Sequence, residues 1–133
     1  MIGERAMAIA EAKGALSFSE AFFRGVLCNV LVCLAVWLAL GARSVSGKIL
    51  AIVFPISAFV AAGFEHCVAN MYFIPLGLLL MENEAMAGGG TTLEWIALLR
   101  NLVPVTLGNL VGGAGLVGLV YYVIYIRPSE ASR

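Results

Sequence analysis

Charge is scarce in this chain. Only 12% of its 133 residues are Asp, Glu, Lys or Arg, about half the share of an ordinary soluble domain. The eight basic and eight acidic residues cancel, which removes the basis for a nucleic-acid surface or a polybasic lipid anchor. Histidine occurs once, at His66, and the three cysteines, Cys28, Cys33 and Cys67, form no C-x-x-C pair. An odd count without that spacing argues against a disulfide framework and against a structural metal site. A membrane-embedded enzyme needs a catalytic pair, and a haem subunit needs two axial ligands. With one histidine, no aspartate inside an apolar segment and no Ser-His or Glu-x-x-His pattern, the chain is expected not to be an enzyme and to hold no cofactor. Met1–Glu20 lacks the apolar h-region of a signal peptide and reads as an extracytoplasmic polar segment over 1–21.

Apolar residues, by contrast, make up 62% of the sequence and gather into three units. Phe22–Leu40 is long enough to cross a bilayer once, although Arg24 and Asn29 interrupt its first half. Ile49–Met81 is too long for one crossing: as a continuous helix it would extend about 50 Å, against a hydrocarbon core of about 30 Å. It also carries a polar insertion, Gly63-Phe64-Glu65-His66-Cys67-Val68-Ala69-Asn70. The expectation is two half-helices, about 49–63 and 71–81, meeting at a turn near the midplane. Leu102–Ile126 forms the third span. The fold expected is all-α and membrane-embedded over 22–127, with three spans and the middle one broken, followed by a cytoplasmic tail over 128–133.

Loop charge sets an orientation. Gly41–Lys48 carries Arg43 and Lys48 without an acid, while Glu82–Asn101 holds three glutamates against Arg100. The positive-inside rule puts Gly41–Lys48 and the C-terminus in the cytoplasm of a cell (inner) membrane. A three-span chain beginning outside, without a signal sequence, looks like the second half of a larger protein. In the last span Gly108, Gly112, Gly113, Gly115 and Gly118 leave one face almost free of side chains, suited to close packing against a partner helix or to lining a pore beside Asn109. No partner for that face is expected inside the chain. Tyr121, Tyr122 and Tyr125 form an interfacial aromatic belt at its end.

The insertion is where chemistry is expected. Irregular backbone at membrane depth persists only where protein buries it or a water-filled path runs beside it, and an ionisable residue there marks a transport pathway. An anion crosses a dry apolar constriction at great cost, whereas a neutral acid crosses easily. His66 titrates near physiological pH and is suited to attract a weak-acid anion and supply its proton. Glu65 would orient the break or favour the protonated imidazole. Asn70 is expected as N-cap of the second half-helix, turning its positive end toward the anion. The alternative for all three is structural: they satisfy the backbone of the turn.

Three ordered segments carry a family resemblance: Cys28-Asn29-Val30-Leu31-Val32-Cys33-Leu34-Ala35-Val36-Trp37, then Gly63-Phe64-Glu65-His66-Cys67-Val68-Ala69-Asn70-Met71, then Asn101-Leu102-Val103-Pro104-Val105-Thr106-Leu107-Gly108-Asn109. They closely resemble the formate/nitrite transporter family, over about Phe18 to Arg127. The resemblance implies an aquaporin-like six-span fold of two inverted repeats, of which this chain matches the second, and pentamers with one pore per protomer. It implies that His66 is the central pore histidine, Glu65 the acid before it and Phe59 an aromatic of the constriction. Asn29 and Asn109 would face the pore and its vestibules, and Lys13 would be a basic group at the outer mouth. Cys67 stands where a serine is frequent and Val30 where a tryptophan is common; neither touches that chemistry. The implied substrates are small monovalent anions of weak acids, formate first, nitrite second and hydrosulfide a distant third. The implied partners are the bilayer and a missing N-terminal half, supplied by a second chain or by an oppositely oriented copy. A half-size subunit that assembles without transporting alone is the alternative.

Overall fold

The computed structural model describes residues 2–86 and 93–127; the proposed tail over 128–133 lies outside them. Five helices follow one another: α1 Ile2–Gly14, α2 Phe18–Gly41, α3 Val45–Ala61, α4 Cys67–Met86 and α5 Ile96–Ile126. Two of them, α2 and α5, are long and apolar enough to cross a membrane. The segment read from the sequence as merely polar is therefore largely helix. With Glu4 in its first turn and Lys13 in its last, α1 complements its own dipole. Serines start the next two helices. Ser17 Oγ accepts from Glu20 N at 3.3 Å and Ser44 Oγ from Gly47 N at 3.0 Å, each satisfying one of the amides a helix start leaves over.

The expected interruption of the middle unit is present, but narrower than expected. It comprises Ala62 to His66, and α4 begins at Cys67 rather than near Asn70. Both halves exceed the expected lengths. Asn70 lies inside the first turn and a half of α4 and does not cap it. His66 does so instead, its Nδ1 accepting from Ala69 N at 3.4 Å. Asn70 is drawn into the interior by polar partners described below. At the end of α3, Gly63 adopts φ +67°, Gly63 N donates to Val60 O at 3.1 Å and Phe64 N to Phe59 O at 3.0 Å. This is a Schellman termination, which requires the left-handed conformation that glycine takes without penalty.

Glycine decides the packing as well. α2 lies against α5 so closely that a Cβ on Gly108 would meet Phe22 O, and one on Gly112 would meet Val26 O. The glycine face thus finds its partner within the chain, contrary to the expectation that it would be unmatched. Gly25 of α2 offers a matching flat patch, since its own Cβ would stand 2.8 Å from Val105 O. Farther along, Gly115 has only its own helix nearby. Over Val111–Gly118 and again over Tyr122–Ile126, α5 widens to a π-helix. Trp37 stacks on Tyr121 with centroids 3.8 Å apart and planes at 7°, and Tyr125 continues the stack at 5.5 Å from Tyr121, tying the ends of α2 and α5 together. α1 packs along α4, where a Cβ on Gly77 would collide with Ala10 Cβ.

A Gly→Ala change in a helix ordinarily gains about 1 kcal/mol. At Gly108 the sign should reverse, because the new methyl displaces the α2 backbone: Gly108→Ala is expected to destabilise by about 1–3 kcal/mol. Gly115→Ala should stay within about 0.5 kcal/mol of the parent or stabilise it. Thermal unfolding in detergent, followed by helical circular dichroism, measures both.

Candidate functional site

The interruption between α3 and α4 leaves backbone groups that neither helix can satisfy, and one side chain serves two of them and ties them to α2. Asn109 projects from α5 and is 5% exposed. Its Oδ1 accepts from Cys67 N at 3.0 Å, and its Nδ2 donates to Glu65 O at 3.0 Å and Gly25 O at 2.9 Å. A fourth bond comes from α2, whose Arg24 O accepts from Glu65 N at 3.3 Å. Asn29, also on α2, donates from Nδ2 to Asn109 O at 2.5 Å, immediately before α5 widens. Gly113 permits that reach, since a Cβ there would overlap the Asn29 amide. Where burial keeps water from substituting for missing partners, such satisfaction is obligatory.

The Glu65 side chain turns inward and is 3% exposed. Oε1 accepts from Lys13 Nζ at 2.8 Å. Oε2 accepts from Asn70 Nδ2 at 2.6 Å and from Asn101 Nδ2 at 3.3 Å. A buried charge is tolerable only with such pairing, and removing one partner of a buried pair costs about 3–5 kcal/mol. Asn101, 3% exposed, also accepts from Asn70 Nδ2 at 2.7 Å and donates to Lys13 O at 3.0 Å. Asn70 is fully buried with both donors used, and its Oδ1 is the buried side-chain acceptor without a donor among the described residues.

A partly enclosed, mainly apolar cavity of about 430 Å³ opens beside this cluster. Lys13, Arg24, Glu65, His66 and Asn70 supply its polar wall, and Phe59, Phe64 and Phe73 much of the rest. At about 30 Å³ per water it has room for a dozen or so. Phe59 and His66 stack with centroids 6.1 Å apart and planes at 26°. Because Nδ1 accepts from Ala69 N, the neutral imidazole carries its hydrogen on Nε2. Arg24 is held at the rim by Glu20, with Nη2 to Oε1 at 2.6 Å, and Nη1 donates to Gly63 O at 3.4 Å.

Five of the seven residues singled out from the sequence thus gather at one cavity: Lys13, Phe59, Glu65, His66 and Asn70. The other two, Asn29 and Asn109, sit in the seam between α2, α5 and the break, bonded to backbone, and do not line it. Arg24 and Asn101 were not singled out. Arg24 was read as a mere interruption of an apolar span. Asn101 fell outside the third span because that span was begun at Leu102, whereas the helix starts at Ile96. Its spacing from Asn109 supplied the missing signal: with Val105 between them, positions 101, 105 and 109 share one buried face.

An all-α chain with apolar helices, a helix interrupted at buried ionisable residues, and a cavity at the interruption has the architecture of a membrane channel or transporter. The formate/nitrite transporter family model matches residues 1–123. The chain is 51% identical over 112 residues to a probable formate transporter of Methanothermobacter thermautotrophicus, covering 84% of this chain and 38% of the relative. It is 42% identical over 124 residues to the formate channel FocA of Escherichia coli strain K12, covering 86% and 44% respectively. A solved pentameric formate channel with formate bound superposes with TM-score 0.82 at 41% identity, over 93% of this chain and 52% of that one. The chain belongs to the formate/nitrite transporter family. It spans less than half the length of these two relatives, which are channels and transporters rather than enzymes.

Asn109→Leu keeps side-chain volume and removes two bonds to the break and one to α2. It is expected to destabilise the protein by about 3–5 kcal/mol, the sum of several unsatisfied buried groups. Asn109→Asp, which keeps the acceptor for Cys67 N but turns a buried carboxylate oxygen on two carbonyls, should lose at least as much. Thermal denaturation of the purified variants measures the order.

Proposed function

We propose that this chain forms one half of a transmembrane pathway for small monovalent anions of weak acids, with formate the leading substrate and nitrite the second. The reading is carried by one placement: His66 stands at an interrupted helix, in one cavity with the Lys13–Glu65 pair and the Phe59 ring. Lys13 and Arg24 attract the anion into the cavity. Phe59 and its aromatic neighbours exclude large or hydrated ions, because shedding water from an unpaired charge is expensive. His66 gives the anion its proton, directly or through water, and the neutral acid passes the constriction. Asn70, one helical turn beyond His66, holds the Glu65 carboxylate beside the cavity through its Nδ2. Asn29 and Asn109 hold the break's shape and act on transport through it.

Further parts of the reading rest on the loop charges and on the resemblance to the pentameric channel. α3 and α4 together make one broken crossing between α2 and α5, in the inner membrane, with Gly41–Lys48 and the C-terminus cytoplasmic. The chain completes its pore with a second half and assembles as a pentamer, as the similar formate channel does. Large exposed apolar side chains such as Phe54 on α3 and Leu110 on α5 fit a unit covered by lipid and by that half. The second reading, a half-size subunit that assembles but does not transport alone, draws on the same coverage of less than half of each relative.

The test is His66→Asn in the assembly reconstituted into liposomes, with formate uptake followed against external pH. The charged groups around the imidazole are Lys13 from α1, Arg24 from α2 and Glu65 from the break itself. A histidine supplies protons below its titration range and ceases to above it. Uptake should therefore rise as pH falls through that range. His66→Asn should lower it by roughly a hundredfold, the scale of a positioned proton donor, and flatten the profile while assembly persists. Uptake with unaltered pH dependence in the variant would leave His66 a structural plug.

A further inference from the structure

Asn101 lies outside the cavity wall, yet it is bonded to three parts of the cluster behind it. Ala97 and Asn101 share a face in the first turns of α5, and Leu93 lies just before the helix begins at Ile96. Against that face rests the end of α1: a Cβ on Gly14 would stand 2.5 Å from Leu93 Cδ1 and 3.3 Å from Ala97 Cβ. Asn101 Nδ2 then reaches Lys13 O at 3.0 Å, one of the last-turn carbonyls that a helix leaves without an internal partner. The same nitrogen lies 3.3 Å from Glu65 Oε2, while Lys13 Nζ is on Oε1 at 2.8 Å. One amide thus grips the backbone of the cation and the carboxylate of its partner together. Its Oδ1, occupied by Asn70 Nδ2 at 2.7 Å, fixes which way the amide faces.

We infer that Asn101 is a positioning residue for anion entry: it docks the end of α1 so that the Lys13 ammonium stays on Glu65. The inference rests on the anion-transport reading above and adds to it a residue that touches no permeating ion. A lysine side chain loses rotamer freedom when it is held in one geometry. Fixing its backbone relative to the carboxylate removes part of that penalty. The consequence is electrostatic. With Lys13 in place the carboxylate beside the cavity is neutralised. With Lys13 released, an unpaired negative charge confronts an entering anion.

The experiment compares Asn101→Leu, near in volume and without polar atoms, and Asn101→Ser, which keeps one short donor, in the reconstituted assembly with formate as the probe. Initial uptake rates give KM and the maximal rate per assembled complex. Asn101→Leu should raise KM about tenfold, the scale of one lost charge-assisted hydrogen bond, with the maximal rate within about twofold. Asn101→Ser should fall between. In a Lys13→Gln background the same substitution should raise KM no further, because Asn101 acts through Lys13. A second readout needs no transport: acylation of Lys13 Nζ by an amine reagent, followed by mass spectrometry, should quicken severalfold in either variant. Unchanged KM and Lys13 reactivity in an assembled variant would overturn the inference, as would an equal KM rise without Lys13. Failure of the parent assembly to carry formate overturns the transport reading itself, and is distinguished by the parent's own uptake.

Discussion

A backbone N–H or C=O buried away from water needs a partner inside the protein, and at the gap between α3 and α4 that partner is chiefly one side chain. Asn109 bonds Cys67 N on one side of the turn, Glu65 O within it and Gly25 O on the facing helix. Neither a hydroxyl nor a carboxylate offers this combination of one acceptor and two donors. The bonds form only because α2 and α5 nearly touch, and they nearly touch because Gly25, Gly108 and Gly112 carry no side chains. Glycine packing, amide and interrupted helix therefore form a single chain of dependence. Asn29 extends it by bonding the Asn109 carbonyl.

Once the turn is held, the Glu65 carboxylate is directed into the protein and must be compensated there. Lys13, Asn70 and Asn101 do this from α1, α4 and α5 respectively. The short first helix is thereby part of the site. It docks through Ala10 on Gly77 and through Gly14 on Leu93 and Ala97, contacts as close as those in the long-helix seam. His66 meanwhile is left at the cavity, its ring steadied by the amide of Ala69 and by the face of Phe59. The arrangement separates two tasks. One set of polar groups keeps the break rigid, and a different group faces whatever enters.

Much of this was legible in the sequence. Excess length, a glycine and a charged pair announced an interrupted helix between Gly63 and Asn70, and the motif around His66 announced the family. What was hidden depended on contacts distant in sequence. Asn70 has strong N-cap character, yet Glu65 and Asn101 draw it inward, and the cap falls to His66. The glycine face was read correctly as a packing surface. Its partner was missed because α2 presents backbone and Gly25 there, which no hydrophobic pattern reveals. α1 looked merely polar because its contact side is built of alanine and glycine, residues too small to register as an apolar stripe. Asn29 and Asn109 resembled pore residues, and the backbone bonds that occupy them follow from tertiary placement alone.

The central claim is that the interruption is a fully bonded element rather than a loose loop, and amide hydrogen exchange of the assembly in a bilayer tests it residue by residue. Glu65 lines a cavity, and the amides of Glu65 and Cys67 lie outside regular helical bonding. The bonds to Arg24 O and Asn109 Oδ1 nevertheless predict that their amides exchange as slowly as those in the middle of α2. Exchange of both at the rate of an open loop, with α2 still protected, would contradict the account.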